Sequence, residues 1–486
     1  MSAIGSSDAD SAAADGSGHA PGFPGERPRL SGLRYWPLLC ALLLRPAAYA
    51  GQDASNEAPP PASAKEAATP LQQSFPEKPV EAQRAERITD EIRKVLQDMP
   101  PFVRDTALTF KPRTYYFYQE QPDGTLKEAW ALGGSLEYRS GWLAERVRIG
   151  AEVYTSQPLY APPDRDGTLL LAPGQQGYTV LGQAYGDLRL ADSHLLTAGA
   201  REYSTPYVNR QFNRMTPNSF EGITLKGSFY GPLEHRRFDY LVGYLSEIKQ
   251  RNGSEFVPMS SVLNPTGPSE GTYLAQALFT VWGTSIGLSN YYTADNLNIF
   301  YAETAWDAKL SAPYGLKLSA QYTNERAVGE SLASRGARLS GNIGAEAILS
   351  YQRSALTLAY SKTSSDGNVL SPWGSNPSFT IGAIKNTNRA GEQSALAQYS
   401  YGFSGASLAG LSLSALYAYS CDAIVVATGA RQKNEHELDL SLDYRVPTGA
   451  LKGLWFRLQR NGLLGEGDPE ATKETRVIFY WEIPLM

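Results

Sequence analysis

The stretch Glu437–Val446 reads ELDLSLDYRV, and apolar or aromatic residues alternate with polar ones along its whole length. In an extended chain, alternate side chains lie on opposite faces. One face would therefore carry Leu438, Leu440, Leu442, Tyr444 and Val446, and the other Glu437, Asp439, Ser441, Asp443 and Arg445. Burying the second set in a dry core would be prohibitive. The stretch predicts a β-strand with an apolar medium on one side and water on the other.

The same alternation recurs in Leu316–Thr323 and Leu411–Tyr419, and it continues from Ala107 to the end of the chain. A soluble β-sandwich also alternates, but its polar face is on the outside. About eighteen such segments, with no helical pattern between them, favour a closed membrane barrel. We therefore predict an all-β fold, a transmembrane antiparallel β-barrel of about eighteen strands.

The connections between these segments alternate in length. Short ones include Tyr230–Arg236 and Pro447–Lys452, and long ones include Pro158–Gly177 and Asp366–Arg389. Outer-membrane barrels have short periplasmic turns and long external loops. We expect an even strand count, both barrel ends on the short-turn side, and external positions for the long connections.

One long connection has an unusual composition. Arg201–Gly222 reads REYSTPYVNRQFNRMTPNSFEG, and Pro206 and Pro217 each remove a backbone donor that a strand would need. The segment also carries Arg201, Arg210 and Arg214. We interpret it as a constriction loop that folds into the lumen of the barrel. A solvated surface loop is the alternative.

The first hundred residues have a different character. Residues 1–50 end in a short apolar run and Ala48-Tyr49-Ala50, which predicts a leader and signal peptide cleaved after Ala50. Residues 51–103 are predicted to be a flexible periplasmic segment with a short helix within Val80–Met99, and residues 104–486 the barrel. Loss of Cys40 with the signal would leave Cys421 as a single thiol, without an intrachain disulfide.

Aromatic runs occur near strand ends, where membrane proteins place rings at the headgroup level. Such an aromatic girdle is predicted to include Tyr115–Tyr118, Tyr291–Tyr292 and Phe479–Trp481.

Several function classes receive no support from the sequence. The net charge of −5 gives no indication of nucleic-acid binding. The four histidines do not form a Cys/His metal spacing, and no phosphate-binding loop is present. No serine, histidine and acid can be grouped into a hydrolase triad. We expect no enzyme activity, no metal and no cofactor. A structural or adhesive barrel without selective transport remains the alternative to a channel.

A series of motifs follows in order from Leu108 onward. The first are Arg113-Thr114-Tyr115-Tyr116-Phe117 and Glu128-Ala129-Trp130. Those within the predicted constriction loop are Thr205-Pro206, Asn213-Arg214-Met215, Pro217 and Phe220-Glu221-Gly222. Later motifs are Pro372-Trp373-Gly374-Ser375, Asn388-Arg389-Ala390-Gly391-Glu392, Gly453-Leu454-Trp455-Phe456-Arg457 and Glu474-Thr475-Arg476-Val477-Ile478. In their order and spacing, these motifs resemble the OprD family of outer-membrane porins.

The resemblance implies an eighteen-stranded porin in the bacterial outer membrane. Such a porin passes small solutes, usually carboxylates, along a ladder of basic side chains. Carried over by position, the ladder would include Arg113, Arg457 and Arg476, and the full predicted pore-lining set adds Arg201, Arg214 and Arg445. Gln119, Gln459 and Asp443 stand where further basic residues are expected. Expected partners are a small-molecule solute, outer-membrane lipid and the barrel assembly machinery, for a monomer or a trimer and without nucleic acid.

Overall fold

The computed structural model describes residues 96–231, 236–308, 310–311, 313–332, 339–405 and 408–486. The predicted signal peptide, and the periplasmic segment up to residue 95, lie outside these residues. No helix in the described ranges is long and apolar enough to cross a membrane. The helical elements given by the structure are a turn of α-helix at Pro101–Arg104 and 3-10 helices at Pro163–Arg165 and Met259–Val262.

Eighteen strands form the barrel wall. They are β1 (Ala107–Glu120), β2 (Leu126–Arg139), β3 (Val147–Tyr160), β4 (Tyr178–Ala191), β5 (His194–Arg201), β6 (Ser219–Tyr230), β7 (Arg236–Lys249), β8 (Thr272–Val281), β9 (Thr284–Thr293), β10 (Leu297–Ala308), β11 (Tyr314–Ala327), β12 (Leu339–Tyr351), β13 (Ser354–Thr363), β14 (Gln393–Gly402), β15 (Leu411–Cys421), β16 (Glu435–Arg445), β17 (Trp455–Gly465) and β18 (Thr472–Tyr480). Two short strands, Phe256–Pro258 and Ile483–Pro484, pair with β7 and β1.

Each strand pairs antiparallel with the next, and the ring closes between β1 and β18. At the closure, Arg113 of β1 lies opposite Tyr480 of β18 on one side and opposite Gly133 of β2 on the other. A closed ring has no open edge, so each strand finds backbone partners on both sides. The predicted all-β, eighteen-stranded antiparallel barrel is confirmed.

The two faces of the wall differ as the alternation predicts. In β16, Leu438 and Leu440 are 49% and 47% exposed, whereas Glu437 and Asp439 between them are 1% and 5% exposed. The exposed apolar side chains face outward, where lipid covers them. The polar side chains face inward, among the connections that fold against the inner wall.

The predicted aromatic girdle is wrong for three of its nine residues. Tyr115, Phe117 and Tyr291 are buried on the inner face, at 1%, 2% and 0% exposure. Only alternate members of a run can face outward, because the side-chain period of a strand is two. On the outer face the rings of Tyr244 and Tyr273 instead lie 4.9 Å apart on neighbouring strands.

The connections differ between the two ends of the barrel. At one end, two-residue turns such as Trp282-Gly283 join the strands, with φ of 46° and 81° at the two positions. Positive φ at both positions matches the hairpin turn that suits the twist of paired strands. We call this the short-connection end. The opposite, long-connection end carries residues 161–177, 202–218, 250–271 and 364–392.

We predict that the long-connection end faces the cell exterior. In a Cys421→Ser background, Thr428→Cys in connection 422–434 should react with an impermeant thiol reagent on intact cells. Asp192→Cys in the turn between β4 and β5 should react only after permeabilisation; both native residues are exposed. The reverse labelling pattern would show that the barrel is inserted in the opposite direction.

Candidate functional site: the constriction and its basic cluster

The constriction loop, residues 202–218, connects β5 to β6 and contacts strands in different sectors of the barrel. The Tyr207 hydroxyl lies 2.9 Å from Thr323 Oγ1 on β11, and the Tyr207 ring lies 5.8 Å from the ring of Tyr291 on β9. Phe212, farther along the loop, lies 5.9 Å from the ring of Tyr480 on β18. These contacts favour the predicted inward position of the loop over a solvated surface position.

A second connection, residues 364–392, also packs against the inner wall, with Val369, Trp373 and Phe379 buried. The sequence predicts this long segment only as an external loop, because length alone does not show where its middle lies. The sequence feature that could have indicated the inward course is Trp373 next to Gly374, a large apolar side chain beside a residue that allows close approach. A Cβ at Gly374 would lie 2.4 Å from Asn209 Oδ1, so only glycine permits the observed approach of the two loops.

Asn209 joins the constriction loop to this second loop. Its Oδ1 accepts a hydrogen bond from the Ser375 backbone N–H at 3.0 Å, and its Nδ2 donates to the Ser375 carbonyl at 3.2 Å. The Asn209 backbone N–H also donates to the carbonyl of Trp373 at 3.2 Å. These hydrogen bonds couple the positions of the two loops.

The middle of the second loop is anchored on β16. The backbone N–H of Ala383 donates to Asp439 Oδ2 at 2.8 Å, and that of Ile384 donates to Glu437 Oε1 at 2.6 Å. Arg476 of β18 donates from Nη2 to the Ala383 carbonyl at 2.7 Å. Two carboxylates of the inner wall are thus used to hold backbone, and are not simply presented to solute.

Four arginines gather where the constriction loop meets β1 and β18, beside Arg210 of the loop, which pairs with Glu202 at 3.1 Å and whose guanidinium carbon lies 4.6 Å from the centroid of the Phe212 ring. This basic cluster consists of Arg113, Arg214, Arg251 and Arg476. The guanidinium carbons of Arg214 and Arg476 lie 4.9 Å and 5.9 Å from the centroid of the Phe117 ring, and that of Arg113 lies 4.3 Å from the Phe212 ring. Arg251 donates from Nη1 to Asn213 Oδ1 of the loop.

Like charges make this cluster electrostatically costly without an anion. Burial, with repulsion from Arg214 and Arg476, lowers the pKa of Arg251 to about 9. Burial also lowers the pKa of Arg214, and Arg476 and Arg113 add to the effect. Guanidinium groups remain protonated in proteins at neutral pH, so the lowered pKa values reflect mainly the cost of burying charged groups, to which repulsion within the cluster adds. A bound carboxylate would relieve that repulsion.

Glu474 offsets the charge of one cluster member. Its Oε1 accepts from Arg476 Nε at 2.6 Å and from Asn461 Nδ2 at 2.9 Å, and its Oε2 accepts from Gln119 Nε2 at 2.9 Å. Glu474 is 1% exposed. Arg476 therefore carries a partner carboxylate that the sequence analysis did not assign to it.

The remaining predicted pore-lining arginines lie elsewhere on the wall. Arg457 donates from Nε to Asp443 Oδ1 at 2.8 Å, and half-buried Arg445 lies opposite Trp455 at the short-connection end of β16. Arg201 pairs with Asp187 at 3.1 Å. The structure brings together Arg113, Arg214 and Arg476, separates the other three, and adds Arg251, which lay unnoticed at the edge of a long connection.

Comparison with known proteins identifies relatives of the same architecture. A family model described as outer membrane porin, OprD family, matches residues 100–485. OpdK of Pseudomonas aeruginosa, solved with vanillate, is 21% identical, with a TM-score of 0.70 over 79% of this chain and 100% of OpdK. OccK2 (OpdF) of the same organism, solved with glucuronate, is 19% identical, with a TM-score of 0.67 over 80% of this chain and 100% of OccK2.

OccAB3 of Acinetobacter baumannii is 18% identical to this chain, with a TM-score of 0.69. This likeness covers 79% of the present chain and the whole of OccAB3. At these identities the structural comparisons establish the fold. A search of curated proteins finds no match.

We predict that Glu474→Gln increases the ratio of anion to cation permeability, because it removes the carboxylate that offsets Arg476. The measurement is the reversal potential of single channels in a salt gradient. Glu470→Gln, which alters a carboxylate in connection 466–471 at the long-connection end, serves as a matched control. An unchanged or more cation-selective Glu474→Gln channel with normal heat-modifiability would contradict this role of Glu474.

Asn209→Ala should loosen both inward loops together. It leaves the backbone N–H and carbonyl of Ser375 without their side-chain partner, a loss of about 1–3 kcal/mol if neither finds water. We expect larger and noisier single-channel currents from a barrel that still folds. Asn213→Ala, within the same loop but without a link to residues 364–392, tests whether the coupling or mere loop disturbance is responsible.

Proposed function

We propose that this chain, which belongs to the OprD family of outer-membrane porins, is a passive channel for small water-soluble solutes that carry a carboxylate. The observation that supports the carboxylate preference is the basic cluster at the constriction, where the guanidinium groups of four arginines lie close together and Arg476 is paired with Glu474. Solute entering from the long-connection end would meet this positive potential beside the constriction loop.

The chemistry of arginine suits this role. A planar guanidinium can bind both oxygens of a carboxylate, and its attraction is stronger in a confined site of reduced dielectric than in bulk water. A channel must nevertheless release what it binds, so several shallow positions serve better than one deep one. Arg113 and Arg214 would act at the constriction, with Arg476 weakened by Glu474.

The other predicted pore-lining residues would extend the path. Arg457 and Arg445 lie on the adjoining strands toward the short-connection end, and Arg201 lies where β5 enters the constriction loop. Arg457 shares its charge with Asp443, which makes its attraction for a solute weaker than that of a solitary arginine. The relatives solved with vanillate and glucuronate held organic acids, and this agrees with a carboxylate as cargo.

The proposed channel needs no bond-making chemistry, metal or cofactor. A structural or adhesive barrel is the competing function, and conductance of the purified protein in a planar bilayer separates the two. Removal of the signal peptide, insertion by the barrel assembly machinery, and a monomeric or trimeric state remain predictions from the sequence. The basic cluster favours the channel, because adhesion takes place outside the barrel and does not require arginines within it.

We predict that Arg113→Gln and Arg214→Gln each lower the permeability of benzoate relative to potassium, and that the double variant lowers it further. Arg326→Gln, at an exposed position on β11, is the matched control. The difference between variant and wild type should shrink at 1 M salt, where the Debye length is about 3 Å. Equal benzoate permeability in the double variant and wild type would contradict the proposed role of the cluster.

A further inference from the structure

We infer that a second anion-binding position lies on the inner wall formed by β3–β6, centred on Lys226 and distinct from the basic cluster. It would bind the same class of solute, small organic carboxylates, on their way to the short-connection end. This inference rests on the proposed function. It extends that function to strands other than β1, β17 and β18, which carry the predicted ladder residues. We call Arg148, Arg189, Arg201 and Lys226 the wall cluster.

The strand register places the wall cluster on one face. Arg148 of β3 is opposite Asp187 of β4, which is opposite Thr197 of β5. Two residues farther along β4, toward the short-connection end, Arg189 is opposite Leu195 of β5. Leu195 is in turn opposite Lys226 of β6. Asp187 is 1% exposed, while its neighbour Leu188 is 36% exposed on the outer face. Opposed residues share a face, so the wall cluster faces inward.

Asp187 is the carboxylate at the centre of this cluster, and its oxygens are fully engaged. Oδ1 accepts from Thr197 Oγ1 at 2.6 Å and from Arg201 Nη1 at 3.1 Å. Oδ2 accepts from Arg148 Nε at 3.1 Å and also from Arg148 Nη2. Two arginines therefore share one buried carboxylate, which leaves an excess positive charge before Lys226 is counted.

Lys226 is exposed, and it makes no hydrogen bond or ion pair with any described residue. Arg189 likewise has no ion pair within the described ranges; its guanidinium carbon lies 4.0 Å from the Trp142 ring, which Arg148 also approaches at 4.5 Å. A lysine ammonium keeps its hydration when exposed, and can exchange that water for a carboxylate at low cost.

The nearby carboxylates on β2, β3 and β7 form ion pairs with cations outside the wall cluster. Glu137 and Glu152 both pair with Lys111, at 2.8 Å and 2.9 Å. Asp239 of β7 pairs with Arg237 at 2.7 Å. Lys111 leaves one of its two carboxylates uncompensated, which reduces the positive potential toward β2 and confines it to the region around Lys226 and Arg189.

The position of the wall cluster suggests its use. Arg201 ends β5 at the start of the constriction loop, whereas Lys226 lies near the other end of β6. A carboxylate released from the constriction would meet Arg201 first and Lys226 later. Spreading attraction over successive positions keeps each step shallow, which is what conduction requires.

The test is the block of single-channel current by benzoate added to one side of a planar bilayer. We expect Lys226→Gln to slow benzoate association from the short-connection side by roughly threefold, as loss of one steering charge would do, with little change from the other side. Lys226→Arg should behave as wild type. Lys362→Gln, a lysine exposed near the end of β13, is the matched control.

A second measurement guards against a folding artefact. In the Cys421→Ser background, Lys226→Cys should regain fast association after reaction with a cationic thiol reagent, and lose it further after an anionic one. If wild type shows neither anion preference nor benzoate block, the proposed function fails. If wild type shows both, and Lys226→Gln and the two modified channels match it from both sides, the second position is refuted while the porin assignment stands.

Discussion

The hydrogen bonding of the backbone in a medium without water governs this molecule. Each unpaired N–H or C=O in hydrocarbon costs several kcal/mol, so a sheet in a membrane must close on itself. The pairing of β1 with β18 meets that requirement. Closure also fixes which side chains become neighbours. Arg113 reaches Tyr480, and Arg476 lies opposite Phe117, only because the first and last strands meet. The basic cluster is thus assembled at the seam of the barrel.

The charged side chains inside the barrel fall into two groups, which differ in the atoms that they bind. Glu437 and Asp439 bind backbone N–H groups of a loop, and Glu474 binds three side-chain donors. These carboxylates are structural, since each accepts hydrogen bonds from the chain and is at most 5% exposed. The arginines of the constriction instead contact aromatic rings and polar atoms of the loop. In the proposed channel, the same wall would combine carboxylates that hold the chain with cations that attract a passing anion.

Much of the fold was predictable, because alternate residues of a strand lie on opposite faces. The polarity of each residue therefore indicates the face on which its side chain lies. The inward position of Glu437 and the outward position of Leu438 follow from that period together with the polarity of the two faces. The partners of Arg476 could not be predicted in this way. Glu474 precedes it by two residues, but Gln119 and Asn461 join the network through strand register, and Arg251 joins through a loop. The inward course of residues 364–392 likewise depends on contacts distant in sequence.

The link between Asn209 and Ser375 has a consequence for how such a channel can change over evolutionary time. Loops at the rim of a barrel ordinarily vary independently, because each folds against its own hairpin. Here Gly374 leaves room for Asn209, and Asn209 binds Ser375. An insertion in either loop would displace the other. The two segments are therefore expected to evolve together. Transfer of one loop into another barrel should succeed only if the other loop is transferred with it.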